Sequence, residues 1–209
     1  MDTRIYESVL RRILFLEYPP GHILNEKALA EEFSVSRTPI REVLSRLEWE
    51  QLVRIIPRTG AIVTEIEFQK MTHVFQIRLE IEDLAGRLAG EQITEEHLKK
   101  IAAIRDECRK LFDRRDQKEL VEIDFKFRDA LYDAANNPVL KTISQYLYHL
   151  TIRLSYVLFE RGDWLEGVQA SLNEYQEVYE ALARRDGEAA GKLRRKWLRV
   201  HIERIKNKF

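Results

Sequence analysis

The spacing of the apolar residues changes its period once along this chain, and that change constrains the fold more than any other feature. Residues 52–56 and 61–64 are rich in β-branched side chains and flank Pro57-Arg58-Thr59-Gly60, a pattern typical of a β-hairpin. On both sides of the hairpin the apolar residues recur at helical spacing. The sequence therefore predicts a mainly α protein with one small β-hairpin.

Three short helices are predicted before the hairpin. The first covers residues 4–16 and stops at the Pro-Pro-Gly sequence 19–21. The second begins after Asn25 as its N-cap and runs to Phe33, and the third begins after a tight turn with Ser36 as its N-cap. Three helices and a hairpin in this order form a winged helix-turn-helix, which we assign to residues 1–66.

Residues 67–209 carry amphipathic helical segments and no further strand signal. Breakers, the first of them Gly90, divide this region into segments 67–90, 94–113, 116–135, 138–160, 164–185 and 187–207. Amphipathic helices with short connections pack as a bundle. We therefore expect a C-terminal all-α helical bundle as a second domain.

Charge and composition restrict the possible partners. The chain has 35 Lys and Arg against 35 Asp and Glu, and residues 1–66 hold nine against ten. Any DNA affinity must therefore come from a local basic face. Apolar runs are far shorter than the roughly 20 residues of a membrane helix, and the single cysteine, Cys108, is expected to be a small buried apolar residue. We expect a cytoplasmic protein with no membrane partner.

The first turn of the third predicted helix has the side chains that base recognition needs. Arg37 and Arg41 can each bind guanine bidentately, and Ser36 and Thr38 can contact bases or phosphates. A lone surface arginine usually does no more than solvate a helix. Two arginines beside a helix-turn-helix turn favour DNA reading, and Arg54 and Arg58 extend the basic face into the hairpin, or wing.

The N-terminal region also resembles a known family, the GntR family of bacterial regulators. The resemblance rests on the segments 19–21, 26–30, 35–44, 47–48, 52–53 and 57–60, and the rest of the chain resembles the helical effector-binding domain of the FadR branch. Gln51 stands where that family usually has glycine, which should slightly alter the helix-to-strand turn.

The resemblance implies DNA-binding roles for particular residues. Arg37, Thr38 and Arg41 would approach bases or phosphates, and Lys27 and Ser36 would contact the DNA backbone. Thr59 and Gly60 at the wing tip would enter the minor groove. Glycine suits that position, because it permits positive φ and a close approach of the backbone to DNA. The expected partner is double-stranded operator DNA, and the expected function is that of a repressor. We expect a homodimer, because one recognition helix reads only a few base pairs and two-fold symmetry doubles the sequence that is read.

Polar side chains on apolar helix faces suggest a ligand cavity in the C-terminal domain, because burying them is unfavourable unless they find partners. These residues are Arg78, Asp124, Arg128, Tyr175, Trp197 and His201. They favour a small, anionic metabolite as the effector. Two alternatives stay open: Arg78 could pair only with Glu82 one turn later, and Asp124 and Arg128 could form a buried ion pair that only fixes packing.

Many members of the resembled family hold a divalent metal with one aspartate and three histidines. Asp124 matches the aspartate, but the histidine positions fall on Arg128, Tyr175 and Trp197, none of which is an ordinary metal ligand. We therefore expect no metal and no other cofactor, with His201 as the one possible substitute ligand.

Two other classes of function compete with a regulator. Asp124, Tyr175 and His201 could in principle form an acid/base set in an enzyme, but the sequence has no phosphate loop, dinucleotide fingerprint or activated nucleophile. A bundle that only mediates protein interactions is the other alternative. We predict a regulator and no enzymatic activity.

Overall fold

The computed structural model, which describes residues 2–207, confirms the predicted mainly α fold. Its N-terminal helices are α1 (Thr3–Leu14), α2 (Glu26–Glu32) and α3 (Arg37–Trp49). By its internal contacts the chain divides into an N-terminal unit that ends at Met71 and a C-terminal unit that begins at Thr72. The predicted domain boundary after residue 66 stays a prediction.

Local sequence explains where the first helices begin. The side chain of Asn25 accepts hydrogen bonds from the backbone N–H groups of Lys27 and Ala28 at 2.9 and 3.1 Å, as expected of an N-cap. Ser36 also occupies an N-cap position, but its side chain makes no capping hydrogen bond. The turn between α2 and α3 passes through Ser34, whose φ is 55°.

Apolar faces of α1 and α3 form the core of the N-terminal unit. The buried residues include Ile5, Val9 and Ile13 on α1 and Ile40, Val43, Leu44 and Leu47 on α3. At the edge of this core the hydroxyl of Tyr6 donates to the carboxylate of Glu50, and the Arg46 guanidinium lies 3.8 Å from the centre of the Tyr6 ring. These contacts fix the end of α3 on α1.

The predicted hairpin is present, but it belongs to a sheet of three strands. The strands are β1 (Ile23–Leu24), β2 (Val53–Ile56) and β3 (Gly60–Val63), and the antiparallel order is β1-β3-β2. The prediction missed β1, because two residues are too few to show an alternating pattern. The hairpin closes with a hydrogen bond from Thr59 N to Ile56 O at 3.1 Å.

Six helices make up the C-terminal region of the described chain. They are α4 (Phe68–Gln92), α5 (Glu95–Arg109), α6 (Gln117–Ala134), α7 (Pro138–Arg161), α8 (Trp164–Ala183) and α9 (Gly187–Lys206), with a 3₁₀ turn at Lys110–Phe112. Their bounds agree with the six predicted segments except that α4 continues through Gly90 and α5 ends early. None of the helices in residues 2–207 combines the length and apolar character needed to cross a bilayer.

The prediction that Gly90 breaks a helix is wrong, because this glycine serves close packing. Gly86 and Gly90 on α4 face Gly187 and Gly191 on α9, and a methyl group at Gly86 would lie 2.6 Å from the Gly191 nitrogen. Glycine at these positions lets two helix backbones approach where any side chain would collide.

The core of the C-terminal unit includes the only cysteine of the chain. Cys108 is fully buried on α5, as predicted. Burial, together with the charge of Asp124, raises the pKa of its thiol to about 12. The thiol is therefore protonated at neutral pH and unreactive.

Candidate DNA-reading face and effector cavity

The N-terminal turn of α3 presents the predicted base-reading side chains to solvent. Arg37, Thr38 and Arg41 are exposed, as are Ser36 just before the helix and Lys27 on α2. The helix N-terminus adds a partial positive charge to this surface, which favours phosphate. The arrangement can therefore bind a nucleic acid backbone and offer guanidinium groups to base edges.

One acidic side chain organises the two arginines of α3. Glu26, the first residue of α2, accepts a hydrogen bond from Arg37 Nη2 at 2.8 Å and another from Arg41 Nε at 2.9 Å, both on its Oε2 atom. Sequence analysis missed this contact, because it depends on the angle between α2 and α3. The spacing of 11 and 15 residues gives no signal of it.

Three of the four residues of the wing that are predicted to contact DNA are exposed, and one is buried. Arg54, Arg58 and Thr59 are exposed, and Arg58 has a positive φ of 68° in the turn. Gly60 is buried, and its φ is 131°. A methyl group at Gly60 would overlap the carbonyl oxygen of Leu24, so the expectation that this glycine is needed for close approach to DNA now has a competing explanation within the sheet.

In the C-terminal unit, five helices surround a small polar cavity. Its volume is about 30 Å³, which is room for about two water molecules. Its walls are Arg78, Asp124, Arg128, Tyr148, Ser155, Phe159, Ser171, Glu174, Trp197, Leu198 and His201. Five of the six predicted effector residues therefore line one cavity. The sixth, Tyr175, lies behind the wall, stacked on Phe127 with its ring centre 4.1 Å away.

A buried carboxylate forms the centre of the charge network beside the cavity. Glu82 accepts hydrogen bonds from Arg78 at 3.1 Å, Arg128 at 2.7 Å, Arg194 at 2.5 Å and the Tyr132 hydroxyl at 3.0 Å. Burial alone would raise the pKa of Glu82, but the three guanidinium groups outweigh it and hold that pKa well below the usual range. Glu82 therefore stays ionised, and it ties α4 to α6 and α9.

Asp124 is the second acceptor of the network. It accepts a hydrogen bond from Arg128 Nε at 2.8 Å, from the Tyr148 hydroxyl at 2.5 Å and from the Tyr175 hydroxyl at 3.3 Å. Against the effect of burial, Arg128 and the Tyr148 hydroxyl keep the pKa of Asp124 below its usual range. The ion pair between Asp124 and Arg128 that the sequence suggested is thus present.

The remaining predicted residues form the wall from α9. His201 Nε2 lies 2.7 Å from the Ser155 hydroxyl, and burial lowers the pKa of this histidine to about 3, so it is neutral at neutral pH. Trp197 donates its indole N–H to Glu177 at 2.9 Å. Arg194, one helical turn earlier on the same face, bridges Glu174 and Glu82.

The residues at this position do not fit the divalent metal of the resembled family. Arg128 places a guanidinium beside Asp124 where a cation would need a ligand, and the Trp197 N–H has no lone pair to offer. His201 is hydrogen-bonded to Ser155, and within residues 2–207 it forms no hydrogen bond with Asp124. Within residues 2–207, no group of three His, Cys, Asp or Glu side chains is arranged to hold a metal ion.

Sequence reasoning found most of the cavity wall but not the centre of the network. The sequence suggests Glu82 only as a partner for Arg78, and the prediction includes neither Arg194 nor Tyr148. A signal existed for Arg194, which lies three and seven residues before Trp197 and His201 and so shares their helix face.

An exposed pair of arginines on a helix-turn-helix and a separate polar cavity in a helical bundle define a class of protein: transcription regulators that bind DNA and respond to an effector. Comparison with known proteins supports that class. Residues 2–63 match the family described as bacterial regulatory proteins, gntR family, and residues 73–204 match the FCD domain. The chain belongs to the GntR family of transcription regulators, with an FCD effector-binding domain.

Individual relatives agree with this assignment. The chain is 28% identical over 188 residues to the uncharacterized regulator YdhC of Bacillus subtilis, covering 90% of this chain and 83% of YdhC. It is 27% identical over 189 residues to the repressor RspR of Escherichia coli, covering 90% and 82% of the two chains. These relatives are named as transcription regulators, which disfavours the enzyme and the pure interaction module.

Solved structures share the fold. McbR/YncC of E. coli has a TM-score of 0.89 at 22% identity, covering 98% of this chain and 96% of its own. A putative GntR regulator from Rhodococcus sp. RHA1 has a TM-score of 0.80 at 22% identity, covering 99% and 98%.

Proposed function

We propose that this regulator is a cytoplasmic repressor that binds a short pseudo-palindromic operator as a homodimer. The observation that carries the proposal is the exposed pair Arg37 and Arg41 in the first turn of α3. One such helix reads only a few base pairs, and two-fold symmetry doubles the sequence that is read. We expect Lys27, Ser36 and Thr38 to contact the DNA with them.

The wing contributes the remaining contacts in this proposal. Arg54, Arg58 and Thr59 are exposed and would reach the DNA backbone or the minor groove, with Gly60 at the base of the wing tip. Selection of bound duplexes from a random pool tests the whole proposal. Enrichment of a palindrome supports it, and a pool that stays random after repeated selection contradicts it.

A stripe of apolar residues on α4 supports the homodimer. Ile77, Ile81, Leu84 and Leu88 follow one another at spacings of four, three and four residues, and each is at least partly exposed. This spacing is the one by which two helices pack as a coiled coil. Sedimentation should give a dimer for the wild type and a monomer for the double variant I77E/L84E. A monomeric wild type would contradict the proposal.

The effector in this proposal is a small anion, bound in the cavity of the C-terminal unit. Arg78 and Arg128 face the cavity, and Trp197 and His201 close it with groups that carry no charge at neutral pH. Asp124 and Glu82 reduce the attraction of these arginines for an anion, so a carboxylate must compete with Asp124 for Arg128. Tyr175 holds Asp124 from behind.

The size of the cavity adds a condition. About 30 Å³ is too small for a metabolite of several heavy atoms. Binding therefore requires part of the cavity wall to move, and such a movement is one way for a ligand to change the protein's affinity for DNA. A relative with 25% identity is named a galactonate operon repressor, which makes sugar acids reasonable first probes.

A thermal-shift screen of sugar acids and other carboxylates tests the anion. A ligand at about 100 times its dissociation constant stabilises by about 2.7 kcal/mol, and the shift should vanish in the variant H201W, which fills the cavity. A shift produced only by uncharged compounds would contradict the proposal. Elemental analysis should find no stoichiometric transition metal in the purified protein, and about one metal ion per chain would contradict that part.

A further inference from the structure

The carboxylate of Glu26 lies between the two arginines that are proposed to read DNA. It joins α2 to α3 through the two hydrogen bonds to Arg37 and Arg41. Although partial burial alone would raise the pKa of Glu26, these two hydrogen bonds lower it. The side chain is therefore charged at neutral pH.

A negative charge at this position opposes DNA binding in general. Glu26 lines, together with Arg41 and Gly60, an open groove of about 300 Å³ between α3 and the wing. A carboxylate in that groove repels phosphate, and the N-terminal region has no excess of positive charge to compensate. A residue that weakens binding to every duplex can still raise the preference for one of them.

The two hydrogen bonds leave defined edges of the arginines available. Arg41 uses Nε, so its two terminal nitrogens remain, and within residues 2–207 they form no hydrogen bond. Arg37 donates one of the two hydrogens of Nη2, so the second hydrogen of that nitrogen and the N–H group beside it still form one edge. Two adjacent N–H groups are what bidentate recognition of guanine O6 and N7 requires. We call Glu26 and its two hydrogen bonds to Arg37 and Arg41 the clamp. It holds both side chains with an edge that can bind a base, so they lose less conformational entropy when they contact DNA.

We propose that Glu26 is a positioning residue that determines DNA sequence specificity. It keeps Arg37 and Arg41 in the orientation that reads bases, and its charge penalises binding in which those arginines contact only phosphate. This inference rests on the proposed function, because it requires the two arginines to meet bases.

A simpler account is that Glu26 stabilises only α2, as an acidic residue in the first helical turn. Such a role would affect folding and would leave the preference among duplexes unchanged. Glu31 provides a matched control, because it lies on the same helix and pairs with Lys27 at 3.8 Å. In the part of the chain that the structure describes, the acidic partner of Arg37 and Arg41 is Glu26, not Glu31. Glu31→Gln removes the same charge without touching the clamp.

The test measures the affinity of the full chain for two duplexes of equal length, the one selected by the wild type and a scrambled version. In Glu26→Gln we expect scrambled DNA to bind about two- to threefold more tightly and the preference for the selected duplex to fall about tenfold. Glu31→Gln should strengthen binding to both duplexes equally. Glu26→Asp keeps the charge but shortens the reach, so its preference should fall without tighter non-specific binding.

The outcomes separate this inference from the function on which it rests. If the wild type prefers its selected duplex and Glu26→Gln keeps that preference, as Glu31→Gln does, then Glu26 does not position the arginines and the inference is overturned. If the wild type prefers no duplex, the proposed function fails and the role of Glu26 fails with it. A repeated selection with Glu26→Gln should also return broader base preferences at the positions that the arginines read.

Discussion

Arginine side chains occupy opposite environments in the two units of this protein. In the N-terminal unit, Arg37 and Arg41 are 58% and 61% exposed, and both bind the carboxylate of Glu26. In the C-terminal unit, Arg194 is 1% exposed and binds Glu82, which also pairs with two further buried arginines. Both carboxylates accept hydrogen bonds from several guanidinium groups, but only the first set is exposed to solvent, where a large ligand can reach it.

The two sets of ion pairs differ because one is exposed to water and the other is buried. An exposed ion pair gains little free energy, because water screens it, so it adds little to the stability of the fold. A buried pair has lost the hydration of both ions, so removing one partner leaves an unpaired charge in a medium of low polarity. The same chemistry therefore contributes little to stability at the exposed surface and much in the buried network.

The largest expected effect tests this contrast in stability. Glu82→Gln removes the charge that three buried arginines share and should lower the free energy of unfolding by about 3–5 kcal/mol. Glu26→Gln, the matched change at the exposed clamp, should lower it by about 0.2–1 kcal/mol. Urea unfolding of the full chain measures both. Equal losses for the two variants would contradict the contrast.

The next effect concerns the contact that brings Arg194 to Glu82. Gly191→Ala should destabilise the protein by about 1–3 kcal/mol, because the new methyl group would lie 2.6 Å from the Asp83 carbonyl oxygen on α4. Gly167→Ala is the control, since its methyl group would meet Phe159 at an ordinary 3.5 Å. Alanine there should be neutral or stabilise α8 by up to about 1 kcal/mol. Similar changes in melting temperature for both variants would show that α4 and α9 can move apart to admit the methyl group, which would contradict the prediction.

Sequence predicted the helices of the C-terminal unit to within a few residues, because long amphipathic segments with clear breakers depend mainly on local periodicity. It also found five residues of the cavity wall, because polar side chains on apolar faces are visible in the sequence. It missed β1, the role of Gly90 and the Glu82 network. Each of these depends on which helix or strand packs against which, as in the contact between Arg194 and Glu82, which are 112 residues apart.

Acid should destabilise the C-terminal unit through its buried titratable groups, and His201 should act first. The pKa of His201 is about 3 in the folded protein against about 6.5 in an unfolded chain. Between these values the unfolded state binds a proton that the folded state does not, so the free energy of unfolding falls by at most about 1.4 kcal/mol per pH unit as the pH decreases. The lowered pKa values of Glu82 and Asp124 act in the same direction at lower pH.

The contribution of the histidine is separable from that of the carboxylates. Between pH 7 and pH 5 Glu82 and Asp124 keep their charge in the folded protein, and the pKa of Glu174, which burial raises, affects wild type and variant alike. His201→Gln should therefore flatten the loss of stability in that interval. Urea unfolding at several pH values measures it. Parallel curves for wild type and variant would mean that His201 takes up its proton in the folded protein as well.

The smallest effect lies at the turn after α3. Gln51 has a φ of 61°, a left-handed conformation that favours glycine and strains the backbone of a residue with a side chain. Gln51→Gly should stabilise the N-terminal unit by about 0.5–1 kcal/mol. Gln51→Ala removes the side chain without relieving the backbone and should give no gain. An equal gain in stability for both variants would mean that the Gln51 side chain, and not its backbone conformation, destabilises the turn.

The central claim is that the exposed arginines of α3 read operator sequence. Its most direct test compares wild type with Arg41→Ala on the selected and the scrambled duplex at one salt concentration. We predict a loss of about 1–3 kcal/mol on the selected duplex and a much smaller loss on the scrambled one, because a bidentate contact to a base is sequence-specific. An equal loss on both duplexes would show that Arg41 contacts phosphate only and would contradict the claim.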